Sequence, residues 1–373
     1  MNPNKTIKKL LVANRSEIAI RVFRAASELG ITTVGVYAEH DQYSLHRFKA
    51  DESYLIGVGM GPIQAYGSIE DILDVAMDRK VDAIHPGYGF LSEKPDFAQQ
   101  CEDSGFRFIG PTPEIMRRLG NKVTAREEAR KANVQILPAT DPLPENPGEI
   151  MQMAATIGYP LMLKASWGGG GRGMRMVESE AQLLDAVRMG RSEAQAAFGN
   201  PEVYLEKLIQ NARHVEVQLL GDTHGNIVHL FERDCSIQRR NQKIIERAPA
   251  LFLSDDQRKT LCQSALRLAR AVGYISAGTA EFLYDDDTGE CYFIEVNPRI
   301  QVEHTVTEEI TGIDIVKAQI RIAQGARIGD VENSGIPEQQ QIAMNGYALQ
   351  CRITTPNTPN LSLIHISEPT RPY

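Results

Sequence analysis

Tyr292–Glu303 reads Y-F-I-E-V-N-P-R-I-Q-V-E. On an extended strand, successive side chains point to opposite faces. That alternation sends Ile294, Val296, Ile300 and Val302 one way and Glu295, Asn297, Arg299, Gln301 and Glu303 the other. The second set holds only groups that bind a metal, an anion or a proton. Just upstream, Gly278–Tyr284 (G-T-A-E-F-L-Y) reads as a strand with Glu281 as its single charge, and Asp285–Gly289 reads as a hairpin turn. The hairpin would bring Glu281 near Glu295 and Asn297. Two carboxylates and an amide are hard oxygen donors that suit a Mg²⁺ shared with substrate phosphates. A polar strand face bridged by salt links fits the same letters, so both readings stand until the rest of the chain is weighed.

The chain has 373 residues, room for two or three domains. A net charge of −8 argues against nucleic acid and acidic membrane surfaces as partners. Five scattered cysteines without a C-x-x-C pair argue for a reducing compartment and against a disulfide framework or zinc site. No apolar run is long enough to span a bilayer, and the opening M-N-P-N-K-T-I-K-K lacks a signal-peptide core. The expectation is a cytoplasmic protein.

From the N-terminus, short apolar segments alternate with helical periodicity. Strands are expected at 8–13, 32–37, 81–84 and 107–109, and helices at 16–29, 68–79, 96–104 and 113–119. Such alternation predicts an α/β, doubly wound parallel sheet. The first strand runs into A-N-R-S-E with no G-x-G-x-x-G, so a dinucleotide site lacks its glycines. His85–Glu93 (H-P-G-Y-G-F-L-S-E) follows a strand end, where ligands sit in open α/β sheets; its glycines equally fit a tight turn.

The segment 140–148 is a proline-rich connection, and 151–157 is helical. Tyr159–Ser166, carrying Lys164, is a strand; W-G-G-G-G-R-G follows at 167–173, and 174–177 is again a strand. A P-loop would open a helix; here the glycines Gly168, Gly169, Gly170 and Gly171 join two strands and read as a mobile flap whose backbone N–H groups approach phosphate. Ser179 and Gln182 are expected to cap a helix to about Met189. Strands at 203–208 and 213–220 place Glu206, and His214 with Glu216, on polar faces. Glu232–Glu246 is dense in charge and is expected to be an ordered loop with paired charges, Lys243 being a candidate anion ligand. A helix at 255–271, another at 311–323 and a last strand at 344–353 complete the reading.

Five stretches together resemble biotin carboxylases, which are ATP-grasp enzymes: H-P-G-Y-G-F-L-S-E, K-A-S-W-G-G-G-G-R-G-M, R-H-V-E-V-Q, E-R-D-C-S-I-Q-R-R-N-Q-K and F-I-E-V-N-P-R-I-Q-V-E-H. The resemblance covers about residues 5–357. The opening A-N-R-S-E-I-A-I-R and the W-G-G-G-G loop are most similar to the biotin carboxylase part of pyruvate carboxylases.

The resemblance implies that ATP phosphorylates bicarbonate to carboxyphosphate, whose CO₂ is captured by biotin on a carrier domain outside this chain. By motif match, Lys122, Lys164, Glu206, Lys207, His214, Gln238, Glu281, Glu295 and the loop glycines line the ATP site. Glu281, Glu295 and Asn297 match the positions for Mg²⁺ or Mn²⁺. Lys243, Arg299, Gln301, Val302 and Glu303 match the bicarbonate and biotin pocket, with Glu303 as general base and Arg352 stabilising the biotin enolate. Glu303 is expected beside Arg299 on one strand face.

The implied domains are a Rossmann-like unit at 1–120, an ATP-grasp unit at 121–335 with its lid at about 137–208, and the start of a further lobe at 336–357. Beyond Thr355 the pattern departs from the family; S-L-I-H-I-S-E-P-T-R-P-Y looks like translated adapter DNA, so 358–373 is read as a non-native tail on a truncated chain. The intact enzyme is expected to be a homo-oligomer. Competing readings are another ATP-grasp ligase such as a carbamoyl-phosphate-forming enzyme, the biotin carboxylase of an acyl-CoA carboxylase, and an ATP/Mg-binding fragment without turnover.

Overall fold

Strands lie where short apolar runs end in turn residues. Five of them, β1 (Lys9–Val12), β2 (Thr32–Tyr37), β3 (Glu52–Leu55), β4 (Ala83–His85) and β5 (Arg107–Phe108), build an all-parallel sheet in the order β3-β2-β1-β4-β5. These belong to the computed structural model of the chain, which describes residues 6–167 and 174–353. Both faces of the sheet are buried, as parallel sheets require. Leu10 and Val12 join the helix Ser16–Glu28 and the distant helix Ile315–Ala323 in one core; Leu11, Val34, Val36 and Ile84 join the helices Ile69–Asp78 and Pro95–Asp103 in another. Ser68 caps its helix by accepting from the Asp71 N–H, as the sequence pattern predicts.

Next comes a small unit: β6 (Leu161–Ala165), β7 (Arg175–Val177) and β8 (Val203–Lys207), antiparallel in the order β7-β6-β8. Leu161, Leu163, Val203 and Leu205 pack against the helices Pro147–Ile157 and Glu180–Phe198. That second helix runs nine residues past the expected end at Met189. Its Ser179 side chain makes no cap; the Gln182 side chain instead accepts from the Glu178 N–H.

The third sheet has six strands in the order β13-β12-β9-β10-β11-β14: β9 (Ala212–Gly221), β10 (Ile227–Arg239), β11 (Gln242–Ala248), β12 (Ser276–Asp285), β13 (Cys291–Asn297) and β14 (Ala348–Cys351). One face is apolar: Val215, Val217, Ala280 and Phe282 pack on the helix Asp255–Ala271. The other carries the polar side chains described below.

Two expectations need correction. Residues 232–246 are not a loop but most of the β10–β11 hairpin, turning at Arg240 and Asn241, both with positive φ. The strand expected over 292–303 ends at Asn297. Within it the pairing slips, Glu281 facing Glu295 but Phe282 facing Phe293, so a bulge puts both Phe293 and Val296 into the core. Past Pro298 the chain leaves the sheet, and Glu303 is the residue before the helix His304–Thr311. The helix Lys122–Lys131 and strand β3 were not anticipated.

Gly221, in β9, has the Tyr274 carbonyl oxygen 2.1 Å from where a Cβ would stand, with backbone that cannot swing aside. Gly221→Ala is expected to lower stability by about 1–3 kcal/mol, seen as a reduced urea midpoint at unchanged slope. Gly120→Ala, where nothing lies within 4 Å, should stay within about 0.5 kcal/mol.

Candidate active site

Register alone assembles the centre of the site. Arg233 on β10 stands opposite Glu216 on β9, Glu216 opposite Glu281 on β12, and Glu281 opposite Glu295 on β13. Directly opposed residues share a face. Two residues along, Gln218, Thr279 and Asn297 form a second row.

Three carboxylates side by side would repel, and cations answer each of them. Lys243 spends all three ammonium protons on acids, donating to Glu216 Oε2 (2.5 Å), Glu281 Oε1 (2.8 Å) and Glu303 Oε1 (2.8 Å). Burial works against its charge, but Glu216 and Glu281 outweigh it and hold the ammonium pKa well above the usual lysine range. Arg233 is fully buried and donates to Glu216 (2.5 Å), Gln218 (2.7 Å), Thr307 (2.9 Å), Thr279 (3.1 Å) and Gln301 (2.7 Å). Lys122, opening its helix, pairs with Glu295, and Lys164 on β6 pairs with Glu206 on β8.

Glu281 accepts on Oε1 from Lys243, from Asn297 Nδ2 (2.8 Å) and from Gln301 Nε2 (3.0 Å); His214 Nε2 stands 3.1 Å from Oε2. Burial raises the Glu281 pKa, yet Lys243 and His214 pull it well below the carboxylate range. Glu303, 2% exposed, is bound on its other oxygen by Arg352 Nη2 (2.7 Å). Its carboxyl is raised by burial but held down to about 2 by Lys243, Arg233 and Arg352.

The expectation that Glu303 stands beside Arg299 on one strand face is therefore corrected. The chain turns after Asn297, and the cations that touch Glu303 are Lys243 and Arg352. Arg299 pairs instead with Glu93, from the segment after β4, and donates to Asn297 Oδ1 (3.1 Å) and the Ile300 carbonyl (3.1 Å). Arg352 also pairs with Glu246 and is anchored by its N–H on the Ile244 carbonyl (2.8 Å). Lys207 departs from the group: its ammonium donates to the carbonyls of Gly158 and Tyr159, both at 3.0 Å. Gln238 donates to the Cys235 carbonyl (2.9 Å) and faces Lys243 across the hairpin. The Val302 carbonyl accepts from Gln350 Nε2 (3.4 Å). Gly168, Gly169, Gly170 and Gly171 lie outside the described residues.

Sequence reasoning placed Glu216 near the site and Arg233 in a charge run, but missed that they are partners at its centre. The signal was there: E-R-D-C is a strand with Arg233 on the same face as the carboxylates opposite. Glu93 and Glu246 were missed as counter-ions.

As a metal centre the expected trio fits only in part. Glu281 and Glu295 are directly opposed oxygen donors suited to a hard cation. Asn297 turns its amide nitrogen to Glu281 and its oxygen to Arg299, so it must rotate before its oxygen joins them. His214, Glu216 and Glu281 also bring ligand atoms within 4.8 Å of one another, with Lys243 between two of them. Among the described residues no helix is long and apolar enough to cross a membrane.

A charge test follows from Glu303. Its folded pKa lies below the unfolded value, so its contribution is fully present above about pH 4.5 and is lost as pH falls towards 2. Glu303→Gln should be less stable than wild type at pH 7, and urea titrations should show the gap closing between about pH 4.5 and 2.

The family "Biotin carboxylase, N-terminal domain" matches residues 6–116, and "Carbamoyl-phosphate synthase L chain, ATP binding domain" matches 121–331. Pyruvate carboxylase of Bacillus subtilis is 55% identical over 95% of this chain, and human mitochondrial pyruvate carboxylase is 55% identical over 94%. The chain spans about 30% of the length of these relatives (31% and 29%). Among solved structures, Rhizobium etli pyruvate carboxylase superposes with a TM-score of 0.90 at 62% identity, covering 93% of this chain and 31% of that one. The biotin carboxylase domain of Hydrogenobacter thermophilus 2-oxoglutarate carboxylase, in complex with MgADP, ADP and bicarbonate, gives 0.88 at 48% identity, covering 93% and 75%. On these matches the chain belongs to the biotin carboxylase family.

Proposed function

We propose that this chain carries out the ATP-dependent carboxylation of biotin by bicarbonate through carboxyphosphate, the first half-reaction of pyruvate carboxylase. The observation that carries the reading is Lys243 held between Glu216, Glu281 and Glu303, a buried cation flanked by carboxylates on one side and by Arg299 and Arg352 near its rim. Phosphoryl transfer to bicarbonate needs charge neutralisation and alignment of two anions more than covalent help. Lys122 and Lys164 supply cations on the nucleotide side. Lys243 and Arg299 supply them on the bicarbonate side.

Glu281 and Glu295 would hold Mg²⁺, with Asn297 after its amide turns, and the ion would neutralise phosphate oxygens. Glu303 accepts the bicarbonate proton. A bicarbonate between Lys243 and Arg299 adds a negative charge beside Glu303 and shares its cations, which raises the carboxyl pKa from its low resting value when a base is needed. Arg352 then offers its guanidinium to the oxygen of biotin that gains charge. Biotin comes on a carrier domain, and the acceptor of the carboxyl group follows from the likeness to pyruvate carboxylases.

A carbamoyl-phosphate-forming ligase is the second reading, favoured by the description of the family that matches 121–331. ATP hydrolysis with and without bicarbonate, free biotin and ammonia separates the two. Stimulation by biotin supports our proposal; stimulation by ammonia alone with no effect of biotin rejects it. In the same assay Glu303→Gln should lose bicarbonate-dependent hydrolysis by a factor of 10² or more while retaining ATP affinity. Unchanged turnover would remove Glu303 as the base.

A further inference from the structure

One cation beside the proposed nucleotide site has no role in the account above. Arg126 lies four residues after Lys122 on the helix Lys122–Lys131, so both side chains leave the same face. Lys122 ends on Glu295. Arg126 is only 4% exposed, and its guanidinium carbon lies 5.5 Å from the centroid of the Tyr204 ring. Its Nε is buried without a hydrogen-bond partner, and no carboxylate pairs with it among the described residues.

The ring beneath it belongs to the site rather than to the apolar core. On β8, Val203 and Leu205 face the core, while Tyr204 and Glu206 face the other way, towards Lys164. The Tyr204 hydroxyl feels Glu206, Arg126 and Glu295 together, after burial the main influences on it, and its pKa stands well above the usual phenol range. It therefore stays neutral and cannot serve as counter-ion. The charges in this corner are Lys122, Lys164 and Arg126 against Glu206 and Glu295, each acid already engaged by a lysine. A buried charge is costly unless paired, and an aromatic face offsets only part of that cost.

We propose that Arg126 is an anion ligand of this site, taking a phosphate oxygen of a bound nucleoside di- or triphosphate. The inference rests on the nucleotide reading under Proposed function and adds to it a residue from one helical turn below Lys122. Arginine suits the position because its planar fork can keep one edge on the ring and turn another to an oxyanion.

The test is calorimetric titration of the chain with ADP, adenosine and inorganic phosphate, for wild type, Arg126→Met and Arg126→Lys. Arg126→Met should weaken ADP about tenfold or more and leave adenosine unchanged, with Arg126→Lys recovering part of the loss. Equal affinity for ADP in wild type and Arg126→Met overturns the proposal, as does an equal loss for ADP and adenosine, which marks a packing role. Loss of inorganic phosphate binding with ADP unchanged also overturns it, in favour of a free-oxyanion site. Should Arg126→Met not fold, Arg126→Gln reads the same difference. Wild type that binds adenosine but gains nothing from its phosphates sinks Arg126 alone; wild type that binds neither ADP nor adenosine sinks the nucleotide reading with it.

Discussion

Three carboxylates, Glu216, Glu281 and Glu295, stand in one row across three neighbouring strands, and the rest of the site is built around that repulsion. At strand spacing, about 5 Å, two unit charges repel by roughly 3 kcal/mol at an effective dielectric constant of 20. Opposed like charges normally weaken a sheet. Here the row is flanked by Arg233 at one end, Lys122 at the other and Lys243 above the middle. Each cation comes from a different element: β10, the helix 122–131 and β11. The charge requirement thus dictates that those elements converge. The same excess of acid explains how the buried acids of the row are held: Glu216 and Glu281 each accept from at least two donors.

Two further pairs connect parts of the chain that the sheet does not. Glu93 follows β4, next to the place in the parallel sheet where strand order reverses, and reaches Arg299 of the six-stranded unit. Arg352, just after β14, reaches Glu303. The side proposed for bicarbonate is therefore shared among the N-terminal sheet, the turn after β13 and the last strand of the described chain, whereas the side proposed for the nucleotide rests on β6, β8 and the helix 122–131. Loosening either pair changes where Arg299 or Glu303 stands without touching the row of acids.

Much of this was legible in the sequence because its physics is local. The β12–β13 hairpin, with Glu281 set against Glu295, follows from alternation and a D-D-D-T-G turn. The helix Asp255–Ala271 follows from its apolar stripe; the structure adds a Ser254–Gln257 capping box at its start. What alternation missed was non-local. Nothing in Y-F-I-E-V-N-P-R-I-Q-V-E announces the bulge at 294; the exit at Pro298 is signalled by the proline itself, and a residue count of two carried past it gave Glu303 the wrong backbone and the wrong neighbour. The β10–β11 hairpin was hidden because its charges look like a solvated loop until their partners, Glu216 for Arg233 and Asp234 for Arg247, are found on adjacent strands. Motif letters do not show side-chain direction: adjacent residues on a strand face opposite ways, so Glu206 turns to Lys164 while the Lys207 ammonium turns to the Gly158 carbonyl.

The low pKa of Glu303 bears on the role of base proposed for it. A carboxylate clamped between Lys243 and Arg352 has little affinity for a proton, and a base of that strength would not take one from bicarbonate. The clamp is also what keeps the side chain ionised and aimed while buried, where an unpaired carboxylate would protonate. Both demands are met if the cations are shared rather than owned. Lys243 already divides its protons among three acids, so any anion that draws the ammonium away weakens its hold on Glu303. On the function proposed above, the bound anion would raise the basicity of Glu303, and only while it is bound. A site with a lone, unclamped glutamate would lack that dependence, because nothing would couple its basicity to the bound anion.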